Sequence, residues 1–255
     1  MKIRIADISV KELVKQNQGY CPCAAIKTDD TECMCKEFRE QKTPGICHCG
    51  LYEKYNDQTK TEIAKVKGDW TEVLNDCRAT VKKLPLSKEP SADFKKKILL
   101  SEHSPIRDIS IKWKWQGIKS WVATHWVRHK WECYVSTQRT DRTGVDRDEL
   151  PQAAPVNFTG EANVQALIDT MKKRLCRQAS IETRHYAEDL KRAIHEHEPE
   201  ISDVLVPSCV YRCGCPEPEN CTWFDRMLEK HPLLASTDIQ TRYDEYNKIF
   251  WEAHK

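Results

Sequence analysis

The chain has 255 residues, is 39% hydrophobic and 31% charged, and carries a formal net charge of +2. That size suits one large domain, or a medium domain with a small appendage, and the composition excludes a disordered chain. Bulk charge points to no particular partner, so neither a membrane nor a polymeric nucleic acid is expected, and no apolar run approaches the ~20 residues of a membrane span. The opening Met-Lys-Ile-Arg-Ile lacks the apolar core of a signal peptide, and a cytoplasmic protein is expected. Thirteen cysteines are then many. In a reducing compartment they argue for metal or redox chemistry more than for structural disulfides.

Six of the cysteines form three C-x-C pairs, Cys21/Cys23, Cys33/Cys35 and Cys47/Cys49. Thiolates are the soft ligands that zinc and iron–sulfur clusters prefer. A segment this short has little core of its own, and a bound metal would staple it. A zinc knot and an iron–sulfur cluster with a spare dithiol both fit the count. The runs Gly19-Tyr-Cys-Pro-Cys, Cys33-Met-Cys-Lys-Glu-Phe-Arg and Gly45-Ile-Cys-His-Cys-Gly-Leu-Tyr resemble the catalytic subunit of ferredoxin:thioredoxin reductase. The resemblance implies a [4Fe-4S] cluster on Cys21, Cys33, Cys35 and Cys47. It also implies a redox-active disulfide between Cys23 and Cys49, with His48 beside it. Residues 1–56 are therefore expected to be a small iron–sulfur domain, 57–66 a linker, and 67–255 a second domain.

In the second domain, Trp70, Val73, Leu74, Cys77 and Val81 follow the 3.6 period of a helix that Pro85 and Pro90 end. Ser91 is placed to cap a helix running to about Glu102. Ile109, Ile111, Trp113 and Trp115 alternate with polar residues, which predicts a half-buried strand. After Gly117 a helix is expected from about Ser120. Residues 157–163 read as a loop. Val164, Leu167, Ile168, Met171 and Leu175 share one helical face, and Ser180 is placed to cap a further helix to His195. Tail helices are expected over 223–229 and 238–254. The fold class is α+β, with helices around an antiparallel sheet. Trp113, Trp115, Trp121 and Trp126 are read mainly as core or interface. His195-Glu-His197 is read as solvated surface.

The run from His125 to Arg142 gathers Arg128, His129, Lys130, Arg139 and Arg142 behind an apolar segment. A planar guanidinium fork matches phosphate, so a basic cluster on an amphipathic segment suits an anionic ligand; the alternative is a solvated basic face. Glu102-His-Ser-Pro-Ile-Arg and Arg128-His129-Lys130, with Gln138-Arg-Thr140-Asp-Arg142 after a spacer, resemble the flavin-dependent thymidylate synthases. The resemblance implies methylation of dUMP to dTMP at C5, with methylenetetrahydrofolate as carbon donor and reduced FAD as reductant. It implies catalytic roles for Arg128, His129, Lys130 and Arg142. FAD contacts would come from Ser104, Arg107, Arg128, His129 and Lys130. Nucleotide contacts would come from His125, Gln138, Thr140, Arg142 and Arg184. It further implies a homotetramer with sites shared between subunits. Ferredoxin, thioredoxin or NADPH would be the reductant, the fused cysteine segment favouring one of the first two.

Lys130 stands where the family has a second Arg, which keeps the charge but loses the fork. That change leaves room for pyrimidine hydroxymethylation on the same fold. A ferredoxin-linked disulfide reductase is the reading from another class. The match fades after Pro207 and Tyr211, where Cys209, Cys213, Cys215 and Cys221 could hold zinc or a second cluster.

Overall fold

The computed structural model describes residues 2–5, 9–43, 45–55 and 60–254. The N-terminal segment contains β1 (Lys2–Ile5), α1 (Ser9–Gln16), α2 (Lys36–Glu40), β2 (Gly45–Ile46) and β3 (Tyr52–Tyr55). The strands form a small antiparallel sheet of order β1-β3-β2. Among the described residues its core is Val10, Val14, Phe38, Cys47 and Leu51, with Cys33, Met34, Cys35, Cys49 and Tyr52 packed against it. Residues 56–59, where the expected boundary and the start of the linker fall, lie outside the described residues.

The second unit begins earlier than its sequence suggests. Residues 62–66, expected to be linker, lie in β4 (Glu62–Lys67), the edge of a four-stranded antiparallel sheet. Next come α3 (Trp70–Ala79), α4 (Ala92–Leu100) and a 3-10 turn at Ser104–Asp108. These lead into β5 (Ser110–Lys119), α5 (Ser120–Trp126), β6 (Glu132–Val135), the short α6 (Thr140–Thr143) and β7 (Pro155–Asn163). The chain closes with α7 (Val164–Arg174), α8 (Ile181–His195), α9 (Pro199–Asp203), α10 (Ser208–Arg212), α11 (Trp223–Leu228) and α12 (Ile239–Ala253). The sheet order is β4-β5-β7-β6. Residues 157–163 are thus not a loop but most of an interior strand. The mixed helical and antiparallel class stands as expected.

Caps explain several starts. Asp69, Ser91, Asn163, Ser180 and Asp238 each accept a backbone N–H of the first turn of their helix. Such a cap is worth about 1 kcal/mol. The core lies between the sheet and the helices. Trp113, Trp115 and Trp126 are fully buried there with Phe158. The ring centroids of Trp115 and Trp126 are 4.8 Å apart, and those of Trp113 and Trp131 5.0 Å. Gly160 leaves the room Trp113 needs: a Cβ there would lie 2.7 Å from Trp113 Cε2. Gly160→Ala should therefore destabilise the second unit by about 1–3 kcal/mol, the usual cost of overpacking. Urea unfolding followed by tryptophan fluorescence would measure it, and an unchanged midpoint would show that Trp113 can move aside.

Helix α8 is buried all round over 183–188. One turn further, fully buried Lys191 gives hydrogen bonds to Ser202 O at 2.5 Å and Asn247 Oδ1 at 2.8 Å. Burial pushes its ammonium down to about 7, against a small opposing pull from Asp203. Between that value and the ordinary lysine range the unfolded chain binds the extra proton, so this group makes stability rise with pH. Lys191→Met should flatten that rise between about pH 7 and 9. At neutral pH it should also cost about 1–3 kcal/mol, because two buried acceptors lose their donor. Melting curves of both proteins across that range provide the comparison; parallel slopes would refute the assignment. Among the described residues, no helix is long and apolar enough to cross a membrane.

Candidate active site

The basic run sits where α5 ends. Trp126 is buried in the core, while Arg128 and Lys130 reach solvent on either side of half-buried His129. Arg174, the last residue of α7, stands behind them. Its Nε donates to His129 Nε2 at 2.8 Å and its terminal nitrogen to His125 O at 2.5 Å. His129 Nε2 is therefore an acceptor, and the imidazole is held neutral. Burial first, then Arg174, pushes its pKa down to about 4. His125 is lowered too, by burial and then by Arg174 and Arg128. The result is a fixed positive field from Arg128 and Arg174 without charge on the imidazoles. Trp131 forms an aromatic wall beside it, with His129 5.1 Å away edge to face and Trp126 stacked at 5.8 Å.

Gln138 lies on the adjoining flank of α5. It lines an open groove with Ser120, Thr124, Val127, Arg139 and Arg147. Val127 immediately precedes Arg128 in the chain, but Arg128, His129 and Lys130 do not line this groove. Thr140 Oγ1 accepts from Arg147 N at 3.2 Å. Arg139 is engaged by Asp141 through two bonds of 2.9 and 2.8 Å, whereas Arg142 is exposed. Gln138 and Arg147 bring amide and guanidinium donors to one groove, a set suited to phosphate and pyrimidine oxygens.

Two expected contributors stand elsewhere. Ser104 and Arg107 are exposed on the 3-10 turn that precedes β5, at the opposite end of that strand from Ser120. Ten strand residues span roughly 30 Å, too far for one ligand group to touch both ends within one chain. Arg184 is buried, and its Nε donates to Glu188 Oε1 at 3.2 Å. It is committed to the interior because α8 presents no solvent face at that turn.

With about 3.6 residues per turn, successive side chains of α8 look in different directions. Thr183 Oγ1 meets His125 Nδ1 at 2.7 Å. His185 Nε2 pairs with Glu53 Oε1 of β3 at 2.7 Å, and Glu53 is only 1% exposed. The Tyr186 ring is 5.0 Å from Trp115. One turn of helix thus touches the basic run, the core and the N-terminal module.

In that module Cys21 and Cys47 are buried, Cys33, Cys35 and Cys49 half-buried, and Cys23 exposed. Cys47 Sγ accepts the Tyr52 N–H at 3.1 Å and lies 3.5 Å from Cys49 Sγ. The hydrogen bond from Cys49, then the N–H groups of Tyr52, Leu51 and Gly50, bring the Cys47 thiol down to about 6. Cys33 is pushed up to about 11, by burial and then by Cys21, Cys47 and Cys35. The thiols are thus within electrostatic reach of one another. Among the described residues no three Cys, His, Asp or Glu groups converge on a single ion. A cubane takes each thiolate on its own iron, so its ligands stand further apart than those of one zinc. Cys33 feels the charges that Cys21, Cys47 and Cys35 would carry, so the four thiols of the expected donor set stand near one another.

Three participants escape the sequence reading: Arg174, Thr183 and Arg147. Arg174 closes the basic run Lys172-Lys173-Arg174 at the end of α7, and that run was the only signal available. No family model matches the chain, and no curated protein does. Among the solved structures similar to it are a methylase and a thymidylate synthase. The UMP/dUMP methylase PolB from Streptomyces cacaoi, bound with 5-Br dUMP, is 13% identical, with a TM-score of 0.45 over 57% of this chain and 93% of its own. The flavin dependent thymidylate synthase ThyX from Helicobacter pylori, complexed with FAD and dUMP, is 11% identical, with a TM-score of 0.46 over 58% of this chain and 100% of its own. At this level of likeness, the residues of the chain itself must carry any functional conclusion.

Proposed function

We propose that the chain is a flavin-dependent methylase that converts dUMP to dTMP, with methylenetetrahydrofolate as carbon donor. In this reading its N-terminal module holds a [4Fe-4S] cluster on Cys21, Cys33, Cys35 and Cys47. Cys23 and Cys49 form the redox pair, and ferredoxin or a thiol partner supplies the electrons. The observation that carries the reading is the basic cluster itself. Arg128 and Lys130 are open to solvent, Arg174 is clamped behind a neutral His129, and a separate groove on the flank of α5 carries Gln138 and Arg147. FAD, when bound, supplies the reducing equivalents. Arg128, Lys130 and Trp131 offer it charge and a flat aromatic wall.

Arg147, Gln138, Thr140 and Arg142 hold the nucleotide phosphate and sugar. Arg128 and Arg174 place positive charge where electron density grows on uracil as C5 attacks, which is the transition-state stabilisation such a site can give. Neutral His129 positions Arg174 and takes up no proton near neutral pH. Ser104 and Arg107 belong to the far end of β5, so they serve a site completed by another subunit. That is the tetrameric arrangement the family resemblance implies. Contact between Glu53 and His185 keeps the cysteine module against α8.

The test is anaerobic flavin reduction by reduced ferredoxin and by NADPH, in the native chain and in Cys21→Ala. Ferredoxin should reduce the flavin of the native chain and fail with the variant. Full reduction of the variant by either donor at the native rate would remove the cysteine module from the electron route.

A further inference from the structure

A second group of thiols gathers far from the N-terminal module. Cys176, Cys209, Cys215 and Cys221 line one cavity, walled by Trp223, Phe224, Tyr246 and Phe250. Cys213, the middle cysteine of the sequence cluster, is not among them. It is exposed, in the left-handed conformation (φ 55°) that ends α10. Its place is taken by Cys176, which follows the end of α7 more than thirty residues earlier.

The arrangement is built rather than incidental. Cys209 lies in the first turn of α10, and Ser208 Oγ ties that turn to Lys172 O of α7 at 3.0 Å. The loop carrying Cys215 and Cys221 is fastened over Cys176 twice. Lys173 pairs with Glu217 at 2.8 Å, and Gln178 Nε2 donates to Glu219 O at 2.5 Å. The loop is also braced internally, by Asn220 Nδ2 on Asp225 Oδ2 at 2.6 Å and Thr222 N on Asn220 Oδ1 at 2.8 Å. Cys176 and Cys209 are each 8% exposed, and both feel the charges that Cys215 and Cys221 would carry.

Simple packing would not require four thiols around one cavity, since cysteine fills space as a small hydrophobe and a larger apolar side chain would fill it better. A zinc ion needs its ligands to converge on one point at about 2.3 Å. No such convergence of three groups occurs among the described residues. Glu188, Arg177 and His254 line the same cavity.

We infer that Cys176, Cys209, Cys215 and Cys221 form a second metal site, one that takes an iron–sulfur cluster with each thiolate on its own iron. A preformed cluster enters by ligand exchange, each thiol giving its proton to solvent as it replaces an existing iron ligand, so no oxidant or reductant is consumed. The site is independent of the flavin reading and of the N-terminal cluster.

The experiment measures iron and acid-labile sulfide in the full chain after anaerobic reconstitution with equal amounts of ferrous and ferric iron and with sulfide. Its background is Cys21→Ser with Cys33→Ser, Cys35→Ser and Cys47→Ser. Iron and sulfide should persist there, at about half the native amount if the N-terminal module holds its own cluster and at the native amount if it does not. Adding Cys176→Ser and Cys209→Ser should remove them at least ~10-fold, whereas adding Cys213→Ser should not. Alkylation mapping of the reconstituted native chain keeps the test decisive if a variant fails to fold. Cys176, Cys209, Cys215 and Cys221 should be protected and Cys213 modified. Zinc in place of iron, disulfides among the four, uniform alkylation, or equal loss from Cys213→Ser would each overturn the assignment.

Discussion

Arg128→Ala should lower kcat/KM for dUMP methylation by about 10²–10³, the range for losing one preorganised charged donor. The melting temperature should stay within the scatter of surface substitutions, because Arg128 is exposed and anchors no buried group. Arg128→Lys should recover only part of the loss, since the charge returns without the planar fork. Arg174→Ala is the informative contrast. It removes both the donor to His129 Nε2 and the bond to His125 O, so stability should fall with activity. The His129 imidazole should then lose one of the two causes of its low pKa, while burial keeps the larger one. Steady-state rates with parallel melting curves separate the two variants. Native rates in Arg128→Ala would assign the basic run to a solvated face.

Removing the proposed cluster from the N-terminal module should unfold residues 9–55 and leave 60–254 intact. The module's own core is very small, and part of it is Cys47 itself. A ligand held at a thousand times its Kd adds about 4 kcal/mol, which is comparable to all that so small a core supplies. Hydrogen exchange should therefore show amide protection in 9–55 falling by about 10³ after chelation or in Cys21→Ser with Cys47→Ser. Protection across β5, β7 and α8 should stay near native, apart from the turn of α8 that faces Glu53. Unchanged exchange in the module would mean that its fold owes nothing to a bound metal.

Much of the second unit was legible because its signals are local. Ser91, Ser180 and the stretch from Gly68 to Cys77 announced helices that the structure contains, capped as expected. The alternation from Ile109 to Trp115 announced β5. The interior strand β7 was not legible, since Pro155, Asn157, Thr159, Gly160 and Asn163 are all turn-formers by type. Gly160 is there for tertiary reasons, to leave space for Trp113, and no local pattern could convey that. β4 was hidden by a register shift between Ile63 and Lys65, which breaks the period of two that marks a strand.

The candidate sites divide in the same way. Arg128, His129 and Lys130 were visible as a cluster in sequence. Their clamp, Arg174, lies forty-five residues on from His129 and was not. Cys176 stands alone in the sequence, and only the packing of α7 against α10 brings it to the cavity of Cys209. Cys213 was included because it is close in sequence, and the left-handed turn at its own backbone carries it outward.

Mass spectrometry of the nucleotide product decides the proposed reaction. The reconstituted chain would be given dUMP, FAD, a reductant and methylenetetrahydrofolate labelled in its methylene carbon. Labelled dTMP should form, and omission of FAD or of the reductant should abolish it. Unchanged dUMP despite bound, reducible flavin would contradict the reading, and a hydroxymethylated nucleotide would contradict methylation while keeping the carbon donor.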